Sequence, residues 1–340
     1  MNKAIPSILL ALASPVFAAT AAVTAPVGFT TGPNGKIPYT TPVGAVTEHL
    51  HPGMNLIGLR LHQSAMAVGR IGAIGSDFAE LAGMPAGAEL APKPAMVAGK
   101  SYVLEITSGA KAGVIQEITT WQGLRLKLPD DLAAAGVKTG DTFTLRQAAT
   151  LNSVFDPRGT GLRAGANVAT ADAVFIPQGA AFGDFRACFI LRAPGIPAIW
   201  VDAATLKPVG DLPLVYPDGL VVRIMGTEGL DLVFAGEIKP GPTRSVVKPG
   251  LNLIATPYPA RDHLQALGLD NDLTRSDHLQ AADHVWVADA FDGSFTIYFL
   301  AQDGHWINAS KHEPVAAHIP VGSAILIDRK GPAALFSLGD

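Results

Sequence analysis

One cysteine, Cys188, is all the thiol chemistry available to this chain of 340 residues. A single thiol forms no intrachain disulfide and no cysteine-rich metal cluster. Charge is also scarce: Asp, Glu, Lys and Arg make up 16% of the residues, against about 25% in an average globular protein. Basic residues number 25 and acidic ones 29, giving a net charge of −4. No basic block stands ready to neutralise phosphates, which excludes a basic nucleic-acid binder. Aromatic residues reach only 7%, and the strand signals are short, so an outer-membrane barrel is a poor fit. After the N-terminus no stretch approaches the roughly 18 apolar residues of a membrane-spanning helix. A nucleophile elbow, a P-loop, a zincin motif and a dinucleotide glycine fingerprint are all missing. No catalytic residue, metal ligand set or cofactor is read from the sequence.

The first 18 residues supply an address. Lys3 is followed by an apolar run from Ile5 to Phe17, and Val16-Phe17-Ala18 fits the small-x-small pattern of a cleavage site. Residues 1–18 are expected to be a signal peptide, cut after Ala18, and 19–43 an N-terminal extension rich in turn residues. The chain is thus expected to be secreted, periplasmic or on the cell surface, with no sorting tail visible at its end. Cys188 lies in the strand-like run Phe185-Arg-Ala-Cys-Phe-Ile-Leu191 and reads as a small buried hydrophobe.

Self-comparison is the most informative step. Pro52-Gly-Met-Asn-Leu-Ile-Gly58 recurs as Pro249-Gly-Leu-Asn-Leu-Ile-Ala255, and Thr150-Leu-Asn-Ser-Val-Phe155 as His263-Leu-Gln-Ala-Leu-Gly268. Ala171-Asp-Ala-Val-Phe-Ile176 matches Ala282-Asp-His-Val-Trp-Val287, and Ile199-Trp-Val-Asp202 matches His305-Trp-Ile-Asn308. Finally, Tyr216–Arg223 matches Ile319–Arg329 with a different loop length. Five blocks in one order point to two homologous units, 44–240 and 241–340. The first carries an insert that the second lacks. Runs at Lys100–Gly109, Gly113–Thr119, Leu124–Leu128 and Gly140–Arg146 alternate, are rich in β-branched residues and end on glycine or aspartate. They predict an inserted β subdomain over about 97–149, with Leu124, Leu126 and Leu128 on one buried face. Helices are expected to be few and short, at Pro259–Gly268 and Asp130–Gly136. The fold class is mainly β: two barrel- or sandwich-like units, the first with a small β subdomain.

The ordered motifs Pro52–Ile57, Glu105–Gly113, Thr150–Phe155, Ala171–Val174, Trp200 and Tyr216–Arg223 resemble a family of uncharacterised exported bacterial β-rich proteins. Members are often surface- or exosortase-associated. The resemblance spans about 45–339 and implies an exported β-rich protein, with no catalytic residues to carry over.

Several side chains invite a chemical reading. His49 and His51, at i and i+2, would share a strand face and could grip a metal, but no third ligand lies at metal-site spacing. A solvated strand end before Pro52-Gly53 fits better. Asp270 and Asp272, with Asp277 and His278, form an acidic loop of the kind that holds calcium, yet lack the glycine and glutamate of a helical calcium loop. Ser108 lies beside Gly109 with no histidine in the insert to serve as base, so Thr107-Ser108-Gly109 reads as a turn. Trp200, Trp286, Tyr298 and Trp306 are the candidate ligand or partner contacts, since aromatic rings on a β surface stack against sugars or proteins. Their recurrence in both units fits hairpin packing equally well. The function read from all this is an exported structural or binding protein, with extracellular polysaccharide or a surface protein as partner. The alternative is an extracellular hydrolase acting on polysaccharide.

Overall fold

A computed structural model describes residues 42–82, 100–178, 183–215, 217–239, 241–255, 257–258, 263–289, 294–319 and 323–339. The expected signal peptide and almost all of the 19–43 extension lie outside the described residues. What is described is mainly β, with one single-turn α-helix and three 3-10 turns.

The chain enters through β1 (Val43–Leu50), β2 (Gly53–Ile57) and β3 (Leu61–His62). In β1 Glu48 and Leu50 are buried while Thr47 and His49 are exposed, the alternation of a strand with one face on a core. Seven strands follow: β4 (Ala65–Ile74), β5 (Phe78–Leu81), β6 (Tyr102–Ile106), β7 (Ile115–Ile118), β8 (Thr120–Gln122), β9 (Arg125–Lys127) and β10 (Thr142–Gln147). They form one antiparallel sheet in the order β7-β6-β10-β4-β5-β9-β8. Its two outermost strands, β7 and β8, are separated in sequence by Thr119 alone, so the sheet has to curl back on itself. Inside the curl, Ile71, Leu104, Leu126, Phe143 and Leu145 are no more than 2% exposed. The sheet also takes in β4 and β5, which lie ahead of residue 97. Leu126 and Leu128 reach its core, but Leu124 is 47% exposed. Leu124 falls in the Gly123 turn, outside β9, so the expected three-leucine face is two residues long.

The chain then runs through β11 (Ala149–Thr150), α1 (Leu151–Val154), β12 (Ala173–Pro177), β13 (Phe185–Ala193), β14 (Ile196–Asp202), β15 (Pro213–Leu214), β16 (Leu220–Ile224) and β17 (Leu230–Ile238). Helix α1 starts on a capping box: the Thr150 hydroxyl accepts from Ser153 N–H, and Ser153 Oγ accepts from Thr150 N–H. Strands β12, β13, β14 and β16 join β2 in a sheet ordered β14-β13-β12-β16-β2, and β17 lies between β1 and β3.

The remaining strands are β18 (Thr243–Val247), β19 (Gly250–Ile254), β20 (His284–Ala288), β21 (Phe295–Leu300), β22 (Trp306–Asn308), β23 (Glu313–Pro314), β24 (Ile325–Arg329) and β25 (Ala334–Leu338). Their sheet runs β19-β24-β20-β21-β22-β23, and β18 pairs with β25. Read from β19, its first five strands follow the same order as the earlier sheet read from β2. The pair β18–β25 stands where β1–β17 stands. Register agrees as well: Ala173 faces Phe189 and Arg223, and His284 faces Phe299 and Asp328. This puts Arg223 level with Asp328 and Ile224 level with Arg329, one residue away from the sequence matching. Short-range bonds recur too. Leu206 and His312 both adopt positive φ, 57° and 56°, each four residues after a residue, Asp202 or Asn308, whose side chain caps the turn. Two non-glycine residues at one strained turn position are uncommon.

Each sheet has its own core, with Trp200, Phe155 and Val222 in one and Trp306, Val285 and Ile327 in the other. A smaller apolar cluster, with Leu253 and Leu326 against Leu56 and Val221, lies between them. The contacts there are reciprocal: Ala324 N–H donates to the Leu56 carbonyl (3.1 Å), and Ala255 N–H to the Pro217 carbonyl (2.9 Å). Cys188 is fully buried in the first core, and burial pushes its thiol up to about 11.

Candidate functional site

Strand ends from three parts of the fold meet around a cleft of about 640 Å³. The curled sheet contributes β7 and the loop near Asp130. The five-stranded sheet contributes Asp184, Phe185 and the Pro217-Asp218 loop, the six-stranded sheet β19, and the β18–β25 pair β18. Its walls mix apolar and polar side chains, with Ile115, Phe185, Val246 and Leu251 among the apolar ones. Set into these walls are four acidic residues, Glu117, Asp130, Asp184 and Asp218, and two basic ones, Arg244 and Lys248. Asp218 is exposed at the cleft rim, and the protein crowded around its carboxyl raises it to about 6, with Lys248 opposing the shift. Arg244 is held in place, its Nε donating to the Ala112 carbonyl at 2.9 Å.

None of these cleft residues was singled out by chemistry in the sequence. The one available signal is an asymmetry between matched blocks: Tyr216-Pro-Asp218-Gly stands against Ile319-Pro-Val321-Gly. An acid replaces a valine where the rest of the block is alike.

The aromatic candidates are not brought together. Trp200 is 1% exposed and its indole N–H donates to the Phe155 carbonyl at 2.7 Å. Trp306 is 3% exposed and donates to Asp270 Oδ1 at 3.1 Å. Both are core side chains and present no ring face to solvent. Trp286 packs edge-on to Phe295, ring centroids 6.0 Å apart, beside the cluster between the sheets. Tyr298 packs against the second core, where burial raises its hydroxyl pKa and a hydrogen bond with Thr296 opposes the shift.

The acidic loop is likewise spent on the fold. Asp270 accepts from Trp306, Asp272 Oδ2 accepts from Ser337 N–H (2.7 Å), and Asp277 Oδ1 accepts from Gln302 N–H (3.0 Å). His49 sits on the exposed face of β1, its Nδ1 2.6 Å from Asp231 Oδ1, with the His51 ring edge-on to it at 4.8 Å. Among the described residues no three His, Cys, Asp or Glu side chains gather as a metal site would require. Ser108 accepts from Thr142 N–H (2.8 Å) in the turn that Gly109 makes with φ of 76°.

A second polar group is buried where the curled sheet meets the body. The outer faces of β6 and β10 carry Glu105 and Arg146, packed on Glu237 and Lys239. Arg146 bonds to Glu237, and its Nη1 also donates to the Gln63 carbonyl (2.7 Å), while Lys239 bonds to Glu105. Two acids meet two bases, and all four are at most 8% exposed. His62 sits beside them, its pKa lowered to about 2 first by burial and then by Lys239 and Arg146. The Glu48–Arg60 pair, 2.9 Å apart, is buried nearby, and burial pushes Glu48 up to about 7 against the pull of Arg60. Breaking the Arg146–Glu237 or the Lys239–Glu105 pair on one side costs about 3–5 kcal/mol, so these four residues lock the curled sheet to the body.

No protein-family model, curated protein or solved structure matches the chain.

Proposed function

We propose that the chain is an exported binding protein made of two copies of one β unit, 44–240 and 241–340, with the curled sheet inserted in the first. Its ligand seats in the cleft where the three lobes meet. The recurring strand order, register and turn bonds support the duplication. The exported address rests on the composition of residues 1–18. The observation that carries the binding reading is the cleft itself. Its 640 Å³ falls within the roughly 300–1,000 Å³ of ligand sites, and its lining offers both apolar and charged side chains to a ligand.

Polysaccharide hydrolysis in the same cleft is a second reading, favoured by the acids that line it, Asp218 among Glu117, Asp130 and Asp184. Asp218→Asn would then abolish release of reducing ends. Binding is preferred because strand edges and apolar side chains make up much of the cleft wall, and Phe185 is the one aromatic ring lining it among the described residues.

The test is a melting-temperature screen of the full chain against oligosaccharide and peptide panels, beside a variant with the cleft filled, Ser245→Trp. Ligands that stabilise the natural chain should lose their effect in the variant. Ligands that stabilise both equally would place the site elsewhere.

A further inference from the structure

Two walls of the cleft are sheet edges. Among the described residues β7 has β6 as its ladder partner and β18 has β25. The two strands are pinned together at one end. Arg244 N–H donates to the Gly113 carbonyl at 2.8 Å, and Val114 and Arg244 form a parallel bridge. Gly113 has φ of 94°, and a Cβ there would lie 2.5 Å from the Pro242 carbonyl oxygen, so this close crossing requires glycine. Past the pin no ladder joins the two strands among the described residues. Ile115, Gln116 and Glu117 line one side of the cleft, and Ser245, Val246 and Lys248 the other.

Both edges are fit to pair. Their ladders to β6 and β25 run in unbroken register with no bulge, and neither strand contains proline. Bulges and prolines are among the usual devices that blunt an exposed edge. Val246 is 55% exposed, leaving an apolar side chain in water at the edge of β18. The charged groups around the gap are four acids against two bases, and Arg244 already gives its Nε to a carbonyl. The surplus is negative.

Resting on the reading of the cleft as a binding site, we infer that it takes an extended peptide segment bearing lysine or arginine as an added β-strand between the edges of β7 and β18. Backbone pairing with an edge supplies affinity, and alternate side chains supply selectivity. Strands of four and five residues match a peptide stretch of about 15 Å. Basic side chains on one face would meet Glu117, Asp130, Asp184 and Asp218, and apolar ones would meet Phe185, Val246 and Leu251.

The probe is the peptide acetyl-Val-Lys-Val-Lys-Val-amide, titrated into the full chain by isothermal titration calorimetry and followed by hydrogen–deuterium exchange. Binding should slow amide exchange in 115–118 and 243–247 at least tenfold. Alternate backbone amides of the peptide face β7 and β18 in turn, so N-methylating either set of alternate residues should weaken binding at least tenfold. Exchanging lysine for glutamate should also cost at least tenfold, and Glu117→Gln with Asp218→Asn at least threefold. Undiminished binding by either N-methylated peptide, or unchanged exchange in both strands, would overturn strand addition. Oligosaccharide binding that Ser245→Trp blocks, without peptide binding, would overturn the peptide while leaving the cleft as the site. Protection of the same amides by self-association would assign the gap to a second copy of the chain and overturn the proposal. If Ser245→Trp blocks no ligand of any class, both readings fall.

Discussion

Trp200 and Trp306 occupy equivalent hairpin positions but spend their indole N–H differently, one on the buried Phe155 carbonyl and the other on the Asp270 carboxylate. Removing the donor leaves the Phe155 carbonyl without that partner in the core, a penalty of about 1–3 kcal/mol beyond the lost volume. Trp200→Phe should therefore lower unfolding free energy by about 2–4 kcal/mol in urea titration, and a loss under 1 kcal/mol would contradict this packing. Recurrence of a tryptophan at matched sites told apart neither core nor platform in the sequence, because both uses conserve position and size; burial decides for these two. His62 gives a pH test. Its folded pKa lies below the unfolded value, so the stability tied to its neutral form is present above about pH 6.5 and is lost as pH falls toward 2. In the natural chain stability should drop below pH 6.5 with a His62 contribution of up to about 1.4 kcal/mol per pH unit. His62→Gln should lack that part of the slope. Identical slopes in the two proteins would mean that the imidazole is not held neutral.

At the scale of elements, Asn55 and Asn252 do the same work. Asn55 Nδ2 donates to His51, Gly53 and Val222 carbonyls, and Asn252 Nδ2 to those of Lys248, Gly250 and Ile327. Each ties a tight turn, at Gly53 or Gly250 with φ of 96° or 88°, to its neighbouring strand. Asn55→Ala and Asn252→Ala should each cost about 1–3 kcal/mol, measured by denaturant unfolding. A large cost for one and none for the other would argue against equivalent units. Strands were legible in the sequence because alternation and glycine- or aspartate-marked ends report a half-buried face directly. Strand β4, with Ala67, Gly69 and Gly72, carries too weak an alternation to announce itself, so the curled sheet starts before its sequence signal. Asp130–Gly136 has helical composition but makes a lone turn. Asp131 caps it through Ala134 N–H, and Gly136 at φ of 92° ends it. Of the helix expected over Pro259–Gly268, residues 259–262 lie outside the described residues, and Leu264–Leu267 is a 3-10 turn.

At the scale of the whole molecule, export predicts a mature chain that begins at Ala19, detectable by N-terminal mass spectrometry of the secreted protein. Intact Met1 outside the cytoplasm would contradict it. The cleft was not legible in the sequence for a geometric reason. Glu117, Asp130, Asp184, Asp218 and Lys248 are ordinary polar residues at strand ends, scattered over more than a hundred positions, and only the meeting of three lobes brings them together. Sequence reasoning finds chemistry that is close in the chain, whereas this site is made by packing. The central claim, that ligand binds where the three lobes meet, is tested most directly by methyl NMR of the full chain labelled at isoleucine, leucine and valine. Addition of a ligand from the stability screen should shift the methyl signals of Ile115, Val246 and Leu251 and leave those of Val43 and Val233, on the exposed face of β1 and β17, in place. Shifts confined to Val43 and Val233 would contradict it.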